Sequence, residues 1–91
     1  MPNPVIIACP QDTWKLIASN QIFGYLFEMN KKPDKYLYTY RLTGEAAPTL
    51  KTEGVPIFQT EEKKLIISML AIDIYIMAIG NDGSIRYDWT Y

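Results

Sequence analysis

The chain has 91 residues with a formal net charge of -1 at neutral pH, and 48% of its residues are hydrophobic. This length corresponds to one domain, the apolar content excludes a disordered chain, and the near-zero charge argues against a general nucleic-acid binder, which needs clustered basic residues. The absence of histidine and the single cysteine exclude intramolecular disulfide bonds, histidine-based zinc sites and Ser–His–Asp triads.

The first predicted element is the short apolar run at residues 5–8. Prolines precede and follow this run and disfavour a helix, so residues 1–10 are expected to form an edge strand or an arm that reaches a neighbouring molecule. Cys9 has no base to activate its thiol and is expected to be a small buried residue rather than a nucleophile. The N-terminus lacks the basic and apolar regions of a signal peptide, which predicts a protein made in a cytoplasm.

Two apolar segments, residues 14–18 and 22–28, are predicted to be strands joined by a tight turn at residues 19–21. A short helix with Asp12 as its N-cap is the alternative for the first segment. Gly24 lies inside the second segment. A glycine within a strand indicates a bulge, or a close approach of another part of the chain to the backbone.

Residues 35–42 show the clearest alternation in the sequence. With a period of two, Tyr36, Tyr38 and Tyr40 form a ladder on one face of the predicted strand. Such a ladder is compatible with a place in the core or at its rim, with a subunit interface, or with a binding surface for a sugar. We therefore take the three tyrosines as candidate binding residues.

The longest irregular segment is residues 43–56, which contains two prolines and two glycines. A connection of this length predicts either an ordered functional loop or a crossover between sheets. A short strand is predicted directly after it, at residues 57–59.

Residues 64–80 form the most apolar stretch of the chain, interrupted by Ser68 and Asp73. The stretch is too short for a membrane helix and carries a carboxylate near its middle. Its many β-branched residues instead predict strands, at residues 64–69 and 72–80 with a break near residues 69–73. Because both faces of these strands are apolar, both are expected to be covered: either another layer of a sandwich lies outside the strands, or their outer face is a subunit interface.

A turn cluster at residues 80–84 and strict alternation over residues 85–91 predict a C-terminal hairpin. Asp73 is expected to pair with one of the two arginines, Arg41 or Arg86. The residues expected at a subunit interface are Tyr75, Met77, Ile79, Tyr87, Trp89 and Tyr91.

These elements predict an all-β chain, organised as a single-domain antiparallel β-sandwich or partly open barrel of seven to eight short strands over residues 1–91. No nucleophile–base pair or convergent pair of acids is recognisable, so the protein is expected to be non-enzymatic. No pattern indicates a cofactor, a metal site, or a nucleic-acid or membrane partner.

Several segments together resemble small tailed-phage and prophage virion proteins, which are all-β head-decoration or tail-accessory subunits. The resemblance is carried by residues 14–18 (WKLIA) with Gly24, residues 38–44 (YTYRLTG) leading into 46–49 (AAPT), residues 73–76 (DIYI) and residues 83–86 (GSIR). The chain departs from the pattern in its aromatic end, residues 89–91.

The resemblance implies a structural protein of a virion, made in the host cytoplasm, that assembles as a homo-oligomer, often a trimer, on a major capsid or tail protein. It implies no catalytic residues. One alternative is a phage- or prophage-encoded binding module that inhibits or recognises a host protein through the 43–56 loop. Another is a carbohydrate-binding module that uses the tyrosine ladder.

Overall fold

The computed structural model describes residues 5–58 and 63–88, and six β-strands lie within them. The strands are β1 (Val5–Cys9), β2 (Lys15–Glu28), β3 (Lys35–Leu42), β4 (Val55–Ile57), β5 (Lys63–Ile79) and β6 (Gly83–Asp88). They form one antiparallel sheet in the order β1-β6-β2-β5-β3-β4, curled into a half-barrel. The all-β, antiparallel part of the prediction is confirmed. The sandwich and the count of seven to eight strands are not confirmed, because the described strands make a single curved sheet.

β2 is one strand where the sequence predicted two strands and a turn. Its pairing with β5 shifts register between Leu16 and Phe23, and Asn20 adopts the left-handed conformation (φ 58°). Residues 19–21 therefore form a bulge, which changes the direction of β2 without reversing the chain.

β5 is the longest strand, and its pairing with β2 is irregular near residues 68–71. Gln21 and Phe23 of β2 pair with Ile72 and Ile67 of β5, so a step of two residues on one strand corresponds to a step of five on the other. The extra residues of β5 bulge out of the sheet at positions 68–71. A bulge therefore lies near the predicted break, but β5 continues through it as one strand where the sequence predicted two.

Asp73 holds the bulge of β2 instead of pairing with an arginine, so the predicted ion pair is wrong. Its Oδ1 atom accepts hydrogen bonds from the Ser19 hydroxyl (2.8 Å), the Asn20 N–H (3.1 Å) and the Thr43 hydroxyl (3.0 Å). The bond from Ser19, followed by those from Asn20 and Thr43, lowers the pKa of Asp73 although burial opposes this. Three donors on one oxygen satisfy the carboxylate without a cation.

The two arginines have other partners. Arg41 forms an ion pair with Glu53, and Arg86 forms one with Asp88 (3.0 Å).

The predicted C-terminal hairpin is wrong, because β6 lies between β1 and β2 in the sheet and does not pair with β5. The end of β5 that would pair with β6 is occupied by the segment before β2. Gln11 forms a β-bridge with Ala78, and the Asp12 N–H donates to the Ala78 carbonyl (2.8 Å). The turn at residues 80–82 therefore leads the chain across to β1 rather than back along β5.

The core fills the inner side of the half-barrel and contains Cys9, Leu26, Tyr36, Ile72, Ile74, Ile76, Ala78, Ile85 and Tyr87. Burial raises the pKa of the Cys9 thiol to about 11, in line with the inert, buried residue predicted. The Tyr87 ring lies directly on Gly24, where a side chain would overlap it. The close approach predicted at Gly24 is thereby confirmed.

The outer side of the sheet has two halves, and the 43–54 segment covers one of them. The Trp14 indole donates to the Leu50 carbonyl (3.2 Å), and the Lys51 ammonium pairs with Asp12 (3.0 Å). A side chain at Gly54 would meet Trp14 and Leu37, so the segment packs directly against the outer side of β3. The outer side of this half of the sheet is therefore buried by the chain itself.

Candidate interaction surface

Three aromatic side chains of β2, Phe23, Tyr25 and Phe27, form a ladder on the uncovered half of the outer side. They point outward because Gly24 and Leu26, between them, face the core. The Phe23 and Tyr25 rings meet edge to face, with centroids 5.5 Å apart, and the Tyr25 and Phe27 centroids are 6.3 Å apart. The ladder is half-buried and presents a continuous aromatic stripe.

Two aliphatic residues of β5 widen this stripe. Leu65 pairs with Tyr25 and Ile67 pairs with Phe23, and their exposed fractions are 43% and 66%. We call the surface made by Phe23, Tyr25, Phe27, Leu65 and Ile67 the aromatic face.

Charged groups border the aromatic face and lie against its rings. The Lys63 amino group is 5.0 Å from the Tyr25 ring centroid, and the Arg86 guanidinium is 4.3 Å from that of Phe27. Such cations are attracted by the faces of aromatic rings. Aromatic rings combined with arginine are the composition found at the energetic centres of protein interfaces.

The bulge of β5 extends the apolar surface beyond the aromatic face. Met69 and Leu70 are 99% and 62% exposed. The Ser68 hydroxyl donates to the Leu70 carbonyl (2.6 Å), which fixes the shape of the bulge. Ile22, on the neighbouring part of β2, is also exposed.

Exposed apolar surfaces of this kind are typical of sites that contact other molecules. Large contiguous apolar patches are rare on monomeric proteins because exposed apolar area costs free energy. On the other half of the same sheet, the 43–54 segment covers the outer side. The aromatic face has no such cover among the described residues.

The residues predicted at a subunit interface lie elsewhere. Tyr75, Met77 and Tyr87 are 8%, 2% and 1% exposed, and contacts within the chain account for their burial. Tyr75 and Met77 pair with Thr39 and Leu37 beneath the 43–54 segment. Ile79 is half-buried at the end of β5. Trp89 and Tyr91 lie outside the described residues, as do residues 1–4 of the predicted arm.

Tyr36, Tyr38 and Tyr40 share one face of β3, as predicted, but that face points into the half-barrel. Tyr36 is fully buried, and its hydroxyl donates to the Asn30 carbonyl (3.0 Å) and accepts from the Ser84 N–H (3.2 Å). Tyr38 is half-buried and Tyr40 is 53% exposed. Alternation placed the three rings together but did not show which side of β3 the core occupies. A sugar platform on this ladder would lack Tyr36, which is fully buried.

Sequence reasoning missed the aromatic face, although a signal was present. Residues 22–28 alternate aromatic side chains with Gly24 and Leu26 as regularly as β3 alternates its tyrosines. The interface was predicted instead from the apolar run of β5, at residues 72–79. Both faces of that part of β5 are buried within the chain. The two exposed residues of β5 in the aromatic face precede the bulge.

Other candidate sites offer less chemistry. An open cavity of about 500 Å³ lies near the start of β3, and its lining includes Tyr36 and Phe58 and balanced charges from Glu28, Asp34, Lys31 and Lys35. Within residues 5–58 and 63–88, no group of three or more acidic, cysteine or histidine side chains is placed to hold a metal ion. No helix in the same residues has the length and apolar character needed to cross a membrane.

Comparisons of the chain with protein-family models, with curated proteins and with solved structures gave no match.

Proposed function

We propose that this protein is a non-enzymatic structural subunit that assembles with other copies of itself on a larger particle. The observation that carries this proposal is the aromatic face, with Leu65 and Ile67 exposed beside a ladder of neighbouring rings. Burying these side chains against another molecule removes apolar area from water, which stabilises the complex by about 25 cal/mol for each Å² buried. A subunit whose work is to form contacts needs such a face and needs no catalytic group.

The particle that we propose is a tailed-phage virion, with this protein as a head-decoration or tail-accessory subunit attached to the major capsid or tail protein. Support comes from the resemblance carried by residues 38–49, 73–76 and 83–86, and from an all-β fold, which that resemblance implies. Gene neighbourhood is the direct test of this part of the proposal. Capsid or tail genes beside the coding sequence would support it, and a neighbourhood without virion genes would contradict it.

Self-association through the aromatic face is tested by replacing Leu65 and Ile67 together with serine. We expect the wild-type protein to sediment as an oligomer and the variant as a monomer, because the partner would then meet two hydroxyl groups at the most exposed part of the face. Analytical ultracentrifugation over a wide concentration range measures the masses. Circular dichroism checks that the fold is retained.

The matched control is Leu50→Ser, which removes a leucine of similar exposure (61%) on the 43–54 segment. This variant is expected to keep the wild-type mass. A wild-type protein that stays monomeric at high concentration would contradict the proposal.

A binding module for a host protein is the second candidate function. The observation in its favour is that Leu50 is exposed on the 43–54 segment, while Trp14 and Arg41 hold that segment in place. A rigid loop with an apolar tip is a suitable recognition element. If Leu50→Ser leaves every measured interaction intact, this candidate loses its support.

A further inference from the structure

We infer that two copies of the chain pack aromatic face against aromatic face about a two-fold axis that runs across the strands, so that Arg86 of each copy meets Asp88 of the other. This inference rests on the proposed function and names the geometry of its contact. The order of the outward side chains on β6, β2 and β5 supports it.

The outward side chains of these three strands form rows perpendicular to the strands. Register places Arg86, Phe27 and Lys63 in one row. The adjacent row contains Asp88, Tyr25 and Leu65. Arg86 and Asp88 therefore lie side by side on one strand, with opposite charges in neighbouring rows.

An axis that lies in the plane of contact, crosses the strands and passes between the two rows exchanges the rows and keeps each strand over its own copy. Arg86 then faces the partner's Asp88, and Asp88 faces the partner's Arg86. Phe27 faces the partner's Tyr25, so the aromatic ladders also stack. Such an isologous contact is self-complementary in both charge and shape.

The other axis within the plane runs parallel to the strands. It would exchange β6 with β5 and place Arg86 against the partner's Lys63. Two like charges brought together in a closing interface repel each other and weaken the contact. Charge complementarity thus selects the axis that crosses the strands.

Hydrogen-bonding capacity at Arg86 and Asp88 agrees with this choice. The two side chains are 36% and 27% exposed, and one nitrogen and one oxygen form their ion pair. The Nε atom of Arg86 and the Oδ1 atom of Asp88 make no hydrogen bond to the described residues. A rotation of both side chains would let each guanidinium engage the partner's carboxylate with two parallel bonds, which is its strongest geometry.

The arrangement also stacks the sheets in a known way. Rotation about an axis across the strands leaves the strands of the two copies aligned and reversed in direction, as in the face-to-face packing of two sheets. It produces a dimer or an even-numbered assembly. The trimer implied by the phage resemblance would need a different contact.

Exchange of the two charges tests the inference. The Arg86→Asp chain carries two acids at these positions, and the Asp88→Arg chain carries two arginines. Each chain alone is expected to self-associate about tenfold or more weakly than wild type, because two like-charge contacts form across the axis. An equimolar mixture of the two is expected to regain the wild-type affinity as a heterodimer, seen by native mass spectrometry and sedimentation.

The chain with both substitutions is expected to dimerise like wild type. Asp12→Lys, which breaks the exposed ion pair with Lys51, is the control and is expected to leave the mass unchanged. A mixture that does not associate would overturn the two-fold arrangement. The proposed function would still stand if wild type is oligomeric and the Leu65→Ser, Ile67→Ser chain is monomeric.

Disulfide trapping with the native charges gives an independent measurement, in which the buried thiol of Cys9 does not interfere. A Phe27→Cys chain mixed with a Tyr25→Cys chain is expected to form a covalent heterodimer under mild oxidation. Covalent homodimers of the Phe27→Cys chain would instead indicate the axis parallel to the strands and overturn the inference. A trimeric wild-type mass would do the same.

Discussion

Substitution of Gly24 by alanine is expected to lower the free energy of unfolding by about 3 kcal/mol, through overpacking. The added methyl group would lie 2.5 Å from two carbons of the Tyr87 ring. Tyr87 cannot move aside easily, because it is buried and its hydroxyl donates to the Phe23 carbonyl (3.1 Å). Urea unfolding at neutral pH, followed by circular dichroism, measures the loss.

Gly44→Ala is the matched control for this prediction. Gly44 has positive φ (99°) but open space around it, so alanine there is expected to cost about 1 kcal/mol through backbone strain alone. The overlap itself is tested by repeating Gly24→Ala in a Tyr87→Leu background. A coupling energy near zero in that double-mutant cycle would show that the Tyr87 ring is not the obstacle.

Substitution of Asp73 by alanine is the second change with a large expected effect, a loss of about 3 kcal/mol at neutral pH. It removes the acceptor that serves Ser19, Asn20 and Thr43, and hydrogen bonds to a charged group contribute more than neutral ones. The Asn20 N–H would be left unpaired at a bulge that depends on its left-handed backbone. Asp73→Asn keeps one acceptor oxygen and is expected to cost less than Asp73→Ala.

The contribution of Asp73 is expected to depend on pH in one direction. Its pKa in the folded protein is lowered, so the folded state favours the ionised carboxylate. The stabilisation is complete above the ordinary aspartate pKa of about 3.9 and is lost as pH falls from there through the lowered folded value. The difference in unfolding free energy between wild type and Asp73→Asn should therefore shrink in acid. A difference that is constant down to pH 2 would show that the charge plays no part.

Local features of the sheet could be predicted from the sequence because they depend on side chains that are near in sequence. Alternation over residues 35–42 predicted β3, and the β-branched run predicted the strand structure of β5, although not that it is one strand. Gly24 marked a close approach because only a residue without a side chain fits under Tyr87. Each of these features follows from period, branching or size.

Strand order could not be predicted in the same way. The turn at residues 80–82 has the composition of a hairpin, but composition shows only that the chain turns. Whether β6 then pairs with β5 depends on what already occupies that edge, and Gln11 and Asp12 do. These residues are distant in sequence from the turn, so no local pattern reports their position.

The aromatic face was not predicted from the sequence for a related reason. An apolar residue in an alternating strand is equally suited to the core and to an interface. The choice is made by the 43–54 segment, which covers Tyr75 and Met77 and leaves Leu65 and Ile67 exposed. The path of that irregular segment has no periodic signal in the sequence.

The pairing of β1 with β6 has a consequence for synthesis and folding. Val5 lies opposite Tyr87, so five strands leave the ribosome before β1 can meet its partner. Closing so distant a contact is entropically costly, and sheets built from such contacts form slowly. Until β6 has left the ribosome and paired with β2, the nascent chain presents an unpaired edge of β2 beside its aromatic rings, and unpaired strand edges favour association between chains. Pulse-labelled hydrogen exchange should protect the amides of β3 and β5 before those of β1.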